Sequence, residues 1–308
     1  MKIGVDIGGT KCAVVLGNER KVEKRIAFPT NDCTSTLERI IRAIDEIGKG
    51  DAIGISCGGP LDERQGLILS PPNLPGWDRV PIVRLLSERF GIPTYLCNDA
   101  NACALAEWRY GAGKGTENMI FLTFGTGMGA GLILDGHLYR GTNGMAGEIG
   151  HIRMEKTGPV GYGKAGSFEG FCSGGGIAQI GRMLAMKSLR NGNPTAFCRT
   201  ISELDSITAK SIAQAADAGD PLAMDTYRIC GEMLGKGLAV LVDLFNPEAI
   251  VIGSIFQRSE NLLRESMEAT LKKEALPLSL SACRIVPAEL KDEIGDYAAL
   301  SVAYEGQK

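Results

Sequence analysis

Two short glycine turns, one Asn-Asp pair and a few scattered carboxylates are the residues of this chain whose types and spacing bear on chemistry. Asp6-Ile7-Gly8-Gly9-Thr10-Lys11 follows one apolar alternation, and Gly125-Thr126-Gly127-Met128-Gly129 follows another. A G-T-G turn between two strands presents consecutive backbone N–H groups, a nest suited to phosphate oxygens. One such turn is a weak signal. Two of them, the first preceded by Asp6, with a third small-residue turn at Gly253-Ser254, form a stronger combination. No G-x-x-x-x-G-K-[ST] loop occurs, and no G-x-G-x-x-G follows a strand and opens a helix, so neither a Walker site nor a Rossmann dinucleotide site is expected.

Asn98-Asp99-Ala100-Asn101 stands where a strand ends and a helix begins. On position alone Asp99 reads as a helix N-cap. Together, Asn98 and Asp99 place donors and acceptors at a strand's carboxyl end, where ligand sites of α/β proteins gather. Glu148-Ile149-Gly150-His151 is a second polar knot in a glycine-rich stretch. A single E-x-x-H lacks the paired set of a di-iron bundle, and a lone histidine is more often structural than catalytic. Glu169, between Phe168 and Gly170, reads by itself as a surface carboxylate.

The elements that must position these residues alternate between strand and helix, which specifies an α/β class. Ile3, Val5 and Ile7 alternate into a strand, 13–16 forms a second and 22–27 a third. Ser35 and Glu38 fit a capping box and Gly48 a stop, predicting a helix between them with Leu37, Ile40, Ile41, Ile44 and Ile47 on one face. Strands at 52–57 and 94–97 and helices at 81–90 and 100–110 follow, and the glycine segment 111–115 is the expected domain crossing. The second half opens as the first did, with a strand at 120–124, the glycine turn, and a returning strand at 131–134. This repeat over about 120 residues, too long for a solenoid, reads either as coincidence or as two related domains. Helices are then predicted at 173–185, 206–218, 221–244, 260–276 and 296–305, with strands at 249–252 and 284–286.

Composition narrows the function classes. The 33 basic and 36 acidic residues give a net charge of -3, without the basic footprint of a nucleic-acid binder. No window approaches the roughly 18 apolar residues of a membrane span. No signal-peptide h-region precedes Asp6, so a cytoplasmic location is expected. Nine cysteines without a C-x-x-C pair read as reduced thiols packed as small hydrophobes. The 41 glycines are well above the usual share of about 7% and cluster between apolar segments, where backbone must turn sharply or admit a ligand.

In order along the chain stand Asp6-Ile7-Gly8-Gly9-Thr10-Lys11, Asn73-Leu74-Pro75-Gly76-Trp77, Asn98-Asp99-Ala100-Asn101-Ala102, 124–131 as FGTGMGAG, and Gly147-Glu148-Ile149-Gly150-His151. Asn246-Pro247-Glu248-Ala249-Ile250-Val251-Ile252-Gly253 and Gly295-Asp296-Tyr297-Ala298-Ala299-Leu300 extend the set. Together they resemble the ROK family of sugar kinases and sugar-responsive repressors over nearly the whole chain. The resemblance implies an actin-like ATPase (ribonuclease H-like) fold, two α/β domains around a cleft. They would be 1–115, joined by a C-terminal helix at 296–308, and a larger 116–295. It further implies an ATP-dependent, glucokinase-like hexose kinase acting most plainly on O6, with Asp99 as general base. Gly8, Gly9, Thr10 and Lys11 would face the phosphates from one domain and Gly125, Thr126 and Gly127 from the other. Asp6 would lie near Mg²⁺ through water, and Gly253 would border the adenosine. Asn73, Asn98, Asp99, Glu148, His151 and Glu169 would contact the sugar. A homodimer is also implied, with neither nucleic acid nor membrane as a partner.

Three departures from the family pattern matter. Zinc-bearing members carry C-x-C-G-x-x-G-C between the equivalents of His151 and Glu169. Here the stretch is Val160-Gly161-Tyr162-Gly163-Lys164-Ala165-Gly166-Ser167, so no structural zinc is expected and His151 must be oriented otherwise. Gly58 stands where a proline is usual before Gly59-Pro60, loosening one pocket wall. Ser254 replaces a usual second glycine beside the nucleotide and is small enough for ATP to fit. Two alternatives accompany the glucokinase-like expectation: a kinase of an N-acetylhexosamine, fructose or allose, and a sugar-sensing regulator that does not bind DNA. With a strand expected to open at Ile3, no helix-turn-helix like that of the repressors is expected.

Overall fold

A computed structural model describes residues Met1–Gly306; positions 307 and 308, the end of the expected segment 296–308, lie outside the described residues. The chain opens with three strands, β1 (Lys2–Ile7), β2 (Lys11–Gly17) and β3 (Val22–Pro29), joined as an antiparallel meander. Helix α1 (Cys33–Ile47), strand β4 (Ile53–Cys57), helix α2 (Ile82–Phe90), strand β5 (Thr94–Asn98) and helix α3 (Asp99–Tyr110) follow. The first sheet has the order β3-β2-β1-β4-β5, with β4 parallel to β1 and β5 parallel to β4. Ile3, Val5, Val14, Ile40, Ile44, Ile55 and Trp77 belong to one buried cluster, each aliphatic side chain contributing roughly 1.5–3 kcal/mol by leaving water.

Register decides where the ligand edge lies. Ile7 pairs with Cys57, and Cys57 pairs with Asn98. The three parallel strands therefore end level, and Gly8-Gly9, Gly58-Gly59 and Asp99 leave the sheet along one edge.

A second sheet comprises β6 (Met119–Phe124), β7 (Met128–Leu134), β8 (His137–Tyr139), β9 (Ala249–Ile252) and β10 (Arg284–Pro287), in the order β8-β7-β6-β9-β10. This repeats the 3-2-1-4-5 order of the first sheet. Between β8 and β9 lie the short α4 (Phe168–Phe171), α5 (Gly174–Arg190), α6 (Ala209–Asp217) and α7 (Pro221–Phe245). Helices α8 (Ile255–Glu274) and α9 (Pro277–Ala282) separate β9 from β10. Among the described residues no helix is long and apolar enough to cross a membrane.

Several expected boundaries move, those of the helices for reasons of capping. Asp32, not Ser35, caps α1: its carboxylate accepts from Ser35 N at 3.0 Å, so Ser35 is the donor three residues inside. The helix expected at 206–218 starts later, at Ala209: Ser206 ends a 3₁₀ turn, Ile201–Ser206, and the N-cap Thr208 exchanges bonds with Ser211. Helix α8 begins at Ile255 instead of 260, directly after the Gly253-Ser254 turn. The returning strand starts at Met128, three residues before 131.

The chain divides into two compact units. One comprises Met1–Phe121, Gly131–Ala146 and the stretch from Glu289 onward; the other comprises Leu122–Ala130 and Gly147–Ala288. The first unit thus runs past the glycine segment 111–115. Within it the last helix, α10 (Ile294–Glu305), lies against the first sheet, and two strand glycines allow the contact. A Cβ at Gly4 would stand 2.8 Å from Leu300 N, and one at Gly54 would collide with Ala303 N and Ala299 O. Arg25 Nε to Asp296 Oδ2 (2.6 Å) and Arg109 to Glu305 (2.8 Å) tie its ends.

Candidate functional site

In the first unit the sequence-predicted residues Asp6, Gly8, Gly9, Thr10, Lys11, Asn73, Asn98 and Asp99 belong to one edge of the sheet or pack beside it. The turn between β1 and β2 is pinned by its carbonyls. Thr30 N donates to Thr10 O (3.0 Å), Thr30 Oγ1 to Gly8 O (2.6 Å) and Gly8 N to Lys11 O (3.1 Å). Among the described residues the N–H groups of Gly9 and Thr10 donate to no acceptor. Both residues are exposed, and neither has positive φ. The result is an amide pair facing outward on a fixed turn, the form of an anion nest. Asn73 lies directly against it: a Cβ on Gly9 would meet Asn73 Cβ and Asn73 O at 2.7 Å.

Asn98 is the N-cap of α3 and Asp99 its first residue. Both side chains accept from Ala100 N, at 3.0 Å and 2.8 Å. Only Asp99 Oδ1 is used there, and among the described residues Oδ2 has no hydrogen-bond partner. A Cβ on Gly58 would come no nearer than 3.7 Å to that oxygen, so the wall at this point is open. The carboxylate is exposed, yet crowding by the surrounding protein raises its pKa, while the Ala100 N–H acts in the opposite sense. Asp6, on β1, is pushed up to about 6, first by burial and then by the charges of Asp296 and Asp99, against a bond from Ser56 and the charge of Lys11. The edge thus carries three carboxylates, one of them held partly neutral near pH 6.

The second unit holds Gly125, Thr126, Gly127, Glu148, His151, Glu169 and Gly253. Its glycine turn repeats the plan of the first. Gly125 N donates to Gly127 O (3.1 Å) and Gly174 N to Gly125 O (2.8 Å), while Thr126 N and Gly127 N donate to no acceptor among the described residues. Glu169, on α4, is fixed beneath this turn by Met128 N, which donates to its Oε2 at 3.0 Å. A Cβ on Gly127 would press on that oxygen at 2.9 Å. Gly253 N donates to Leu122 O (3.0 Å), and the neighbouring Ser254 Oγ stands 3.3 Å from where a Gly125 Cβ would be. Ser254 has φ 57° and ψ -106°, a conformation natural to glycine and strained for serine. Glu148 precedes the 3₁₀ turn Ile149–His151 and His151 ends it; Glu148 is exposed and His151 half-buried.

Three side chains with a part in this geometry carry no role in the sequence reading. Glu63 accepts from Asn98 N (2.8 Å) and pairs with Arg140 (3.1 Å), so it braces the residue before Asp99. Its run Asp62-Glu63-Arg64 looks like any solvated turn. Ser56 bonds Asp6 from mid-strand and is silent in sequence. Asp296 stands in a quoted motif, but its effect on Asp6 is visible only in space. No group of three His, Cys, Asp or Glu side chains among the described residues could hold a metal ion.

Comparisons with known proteins show the family and the fold. The model of the ROK family matches residues 2–305. The glucokinase of Streptomyces coelicolor is 32% identical, over 99% of this chain and 98% of that protein. The xylose repressor of Caldicellulosiruptor bescii is 29% identical, over 94% of this chain and 74% of that protein. Among solved structures, a ROK family glucokinase from Streptomyces griseus in complex with glucose and AMPPNP superposes with a TM-score of 0.77 at 30% identity, covering 99% of both chains. The two sheets of common order are those of an actin-like ATPase fold, as the motifs implied. With a family match from the first strand through the last helix, the chain belongs to the ROK family.

Proposed function

We propose that the protein is a sugar kinase, transferring the γ-phosphoryl group of ATP to a hydroxyl of a hexose, O6 of a glucose-like substrate, with Asp99 as general base. The observation that carries this reading is the Asp99 carboxylate. One oxygen is held on Ala100 N, and the other is open and unpaired at the strand edge from which the Gly8–Lys11 turn also emerges.

The chemistry follows from that arrangement. The sugar oxygen attacks the γ-phosphorus, its bond to phosphorus forms, and the bond to the β–γ bridging oxygen breaks, releasing ADP. The hydroxyl proton passes to Asp99 Oδ2. Such transfer proceeds through a loose transition state, so positioning and charge neutralisation supply most of the catalysis. The paired amides of Gly9 and Thr10 and those of Thr126 and Gly127, with Lys11, serve the phosphates. The Asn73 and Asn98 amides and the Glu148, His151 and Glu169 side chains hold sugar hydroxyls, since amides and carboxylates match adjacent donors and acceptors of a polyol. Gly253 borders the adenosine. Magnesium normally keeps several waters and takes few protein ligands. Asp6, with the charges of Asp296 and Asp99 near it, would hold such an ion through water and phosphate. When bound, that ion neutralises the charge on the transferring group.

The glucokinase relatives, one of them solved with glucose and AMPPNP, support this reading. The repressor relatives favour a second one, a sugar sensor without turnover. A coupled ADP-release screen over glucose, fructose, allose and N-acetylhexosamines separates them. Sugar-dependent ADP release, highest with glucose, is expected. Sugar binding with no ADP release from any member of the panel would overturn the kinase reading in favour of the sensor.

A further inference from the structure

The segment between His151 and Glu169 contains an expensive feature with no evident structural return. Val160–Gly161 pairs antiparallel with Lys164–Ala165, and the two residues between them, Tyr162 (φ 44°) and Gly163 (φ 76°), both have positive φ. Such a two-residue turn favours Asn-Gly or Gly-Gly. A tyrosine at the first position is an outlier, because its Cβ crowds the backbone there. Nor does burial compensate, since Tyr162 is 76% exposed. Among the described residues its ring meets one other ring, the His151 imidazole, with centroids 5.1 Å apart and planes at 84°.

The rest of the hairpin brings that ring to its place. The Gln179 side chain pairs with both backbone groups of Val160, accepting from N and donating to O at 2.9 Å each. Lys164 Nζ donates to His151 O (2.7 Å), and Ser167 Oγ accepts from Gly170 N (3.1 Å), capping the helix that bears Glu169. The three positions at which zinc-bearing family members carry cysteines, Val160, Tyr162 and Ser167, thus each have another task. His151 is anchored through its backbone. Among the described residues its ring nitrogens have no hydrogen-bond partner, and the Tyr162 ring is the aromatic contact against which the imidazole is set.

We propose that Tyr162 is a positioning residue: its ring, carried by the clamped 160–165 hairpin, sets the orientation of the His151 imidazole toward the sugar without a metal. The part concerning sugar rests on the kinase reading above; the ring contact does not. Backbone strain at Tyr162 is then retained for function, as strained residues near sites often are.

The test uses the full chain in a His137→Gln background, where His151 is the only histidine, so its ring signals in a ¹H–¹³C correlation spectrum are unambiguous. Tyr162→Ala and Tyr162→Asn are expected to move those signals, and Tyr162→Phe to leave them in place. Tyr162→Asn is also expected to raise Tm, because asparagine accepts positive φ, while raising the sugar KM about tenfold with the ATP KM unchanged. Tyr162→Phe is expected to restore the wild-type sugar KM. Treatment with a zinc chelator followed by restored Mg²⁺ is expected to leave the sugar KM as it was. His151 signals unmoved by Tyr162→Ala would overturn the contact. A sugar KM unmoved by Tyr162→Asn, or raised equally by Tyr162→Phe, would overturn the positioning role. If the kinase reading fails, the wild type releases no ADP, and the spectra still decide whether Tyr162 orients His151.

Discussion

Asp6, on β1, and Asp99, just after β5, lie along one edge of the sheet with β4 between their strands, but have different electrostatic fates. Burial and two other carboxylates push Asp6 up to about 6, whereas the carboxylate of Asp99 is exposed and is raised mainly by crowding. The sign of the linkage follows. An aspartate whose folded pKa lies above its unfolded value binds its proton more tightly in the folded state. Ionised Asp6 therefore destabilises the fold, fully above about pH 6, and the penalty fades as pH falls toward 4. Asp6→Asn keeps a partner for Ser56 and removes the charge. Its Tm should exceed wild type at pH 7.5 in the absence of nucleotide, and the gap should narrow steadily toward pH 4. A constant gap across that range would contradict the account. At this scale the strand end and following helix around Asp99 were legible in a short motif, although the cap expected at Asp99 proves to be Asn98 and Asp99 the first helical residue; its proposed role as base comes from the family resemblance. Glu63 and Ser56 were not legible, because their roles depend on which strand neighbours which.

The elements show the same contrast between local and spatial information. Apolar periodicity located α1, but Asp32 and Ser35 are both acceptable caps by type, and only the backbone decided between them. The start of α8 was placed five residues late because Ser254 reads as a loop residue. In space it enters the helix with φ 57°. Ser254→Gly should relieve that strain and stabilise the protein by up to about 1 kcal/mol, seen as a higher denaturant midpoint; a lower midpoint would show that the hydroxyl bond from Arg258 matters more. Gly54 is the opposite case, a strand glycine whose helix neighbour no local pattern reveals. Gly54→Ala should drive a methyl into the α10 backbone and cost about 1–3 kcal/mol, read from urea unfolding. Full stability in that variant would mean that α10 is free to back away from the sheet.

At the scale of the whole molecule, the recurring hairpin was the one long-range feature visible in the sequence. Its counterpart is two five-stranded sheets of the same 3-2-1-4-5 order. The course of the chain was legible only in part: the resemblance implied that the C-terminal helix joins the first domain, but not that Gly131–Ala146 does. Gly131–Ala146 and the residues from Glu289 onward return to the first unit, a grouping set by packing and not by glycine content. Both units present a glycine turn with carbonyls tied back and two amides free, and the first adds a carboxylate with one unpaired oxygen. The central claim is that this oxygen takes a proton from a sugar hydroxyl while ATP is cleaved. The direct measurement is the steady-state rate of sugar-dependent ADP release by Asp99→Asn, taken with calorimetric sugar binding by the same variant. The account predicts a kcat lower by about 10²–10⁴ with sugar affinity largely retained. A variant that releases ADP near the wild-type rate would contradict it.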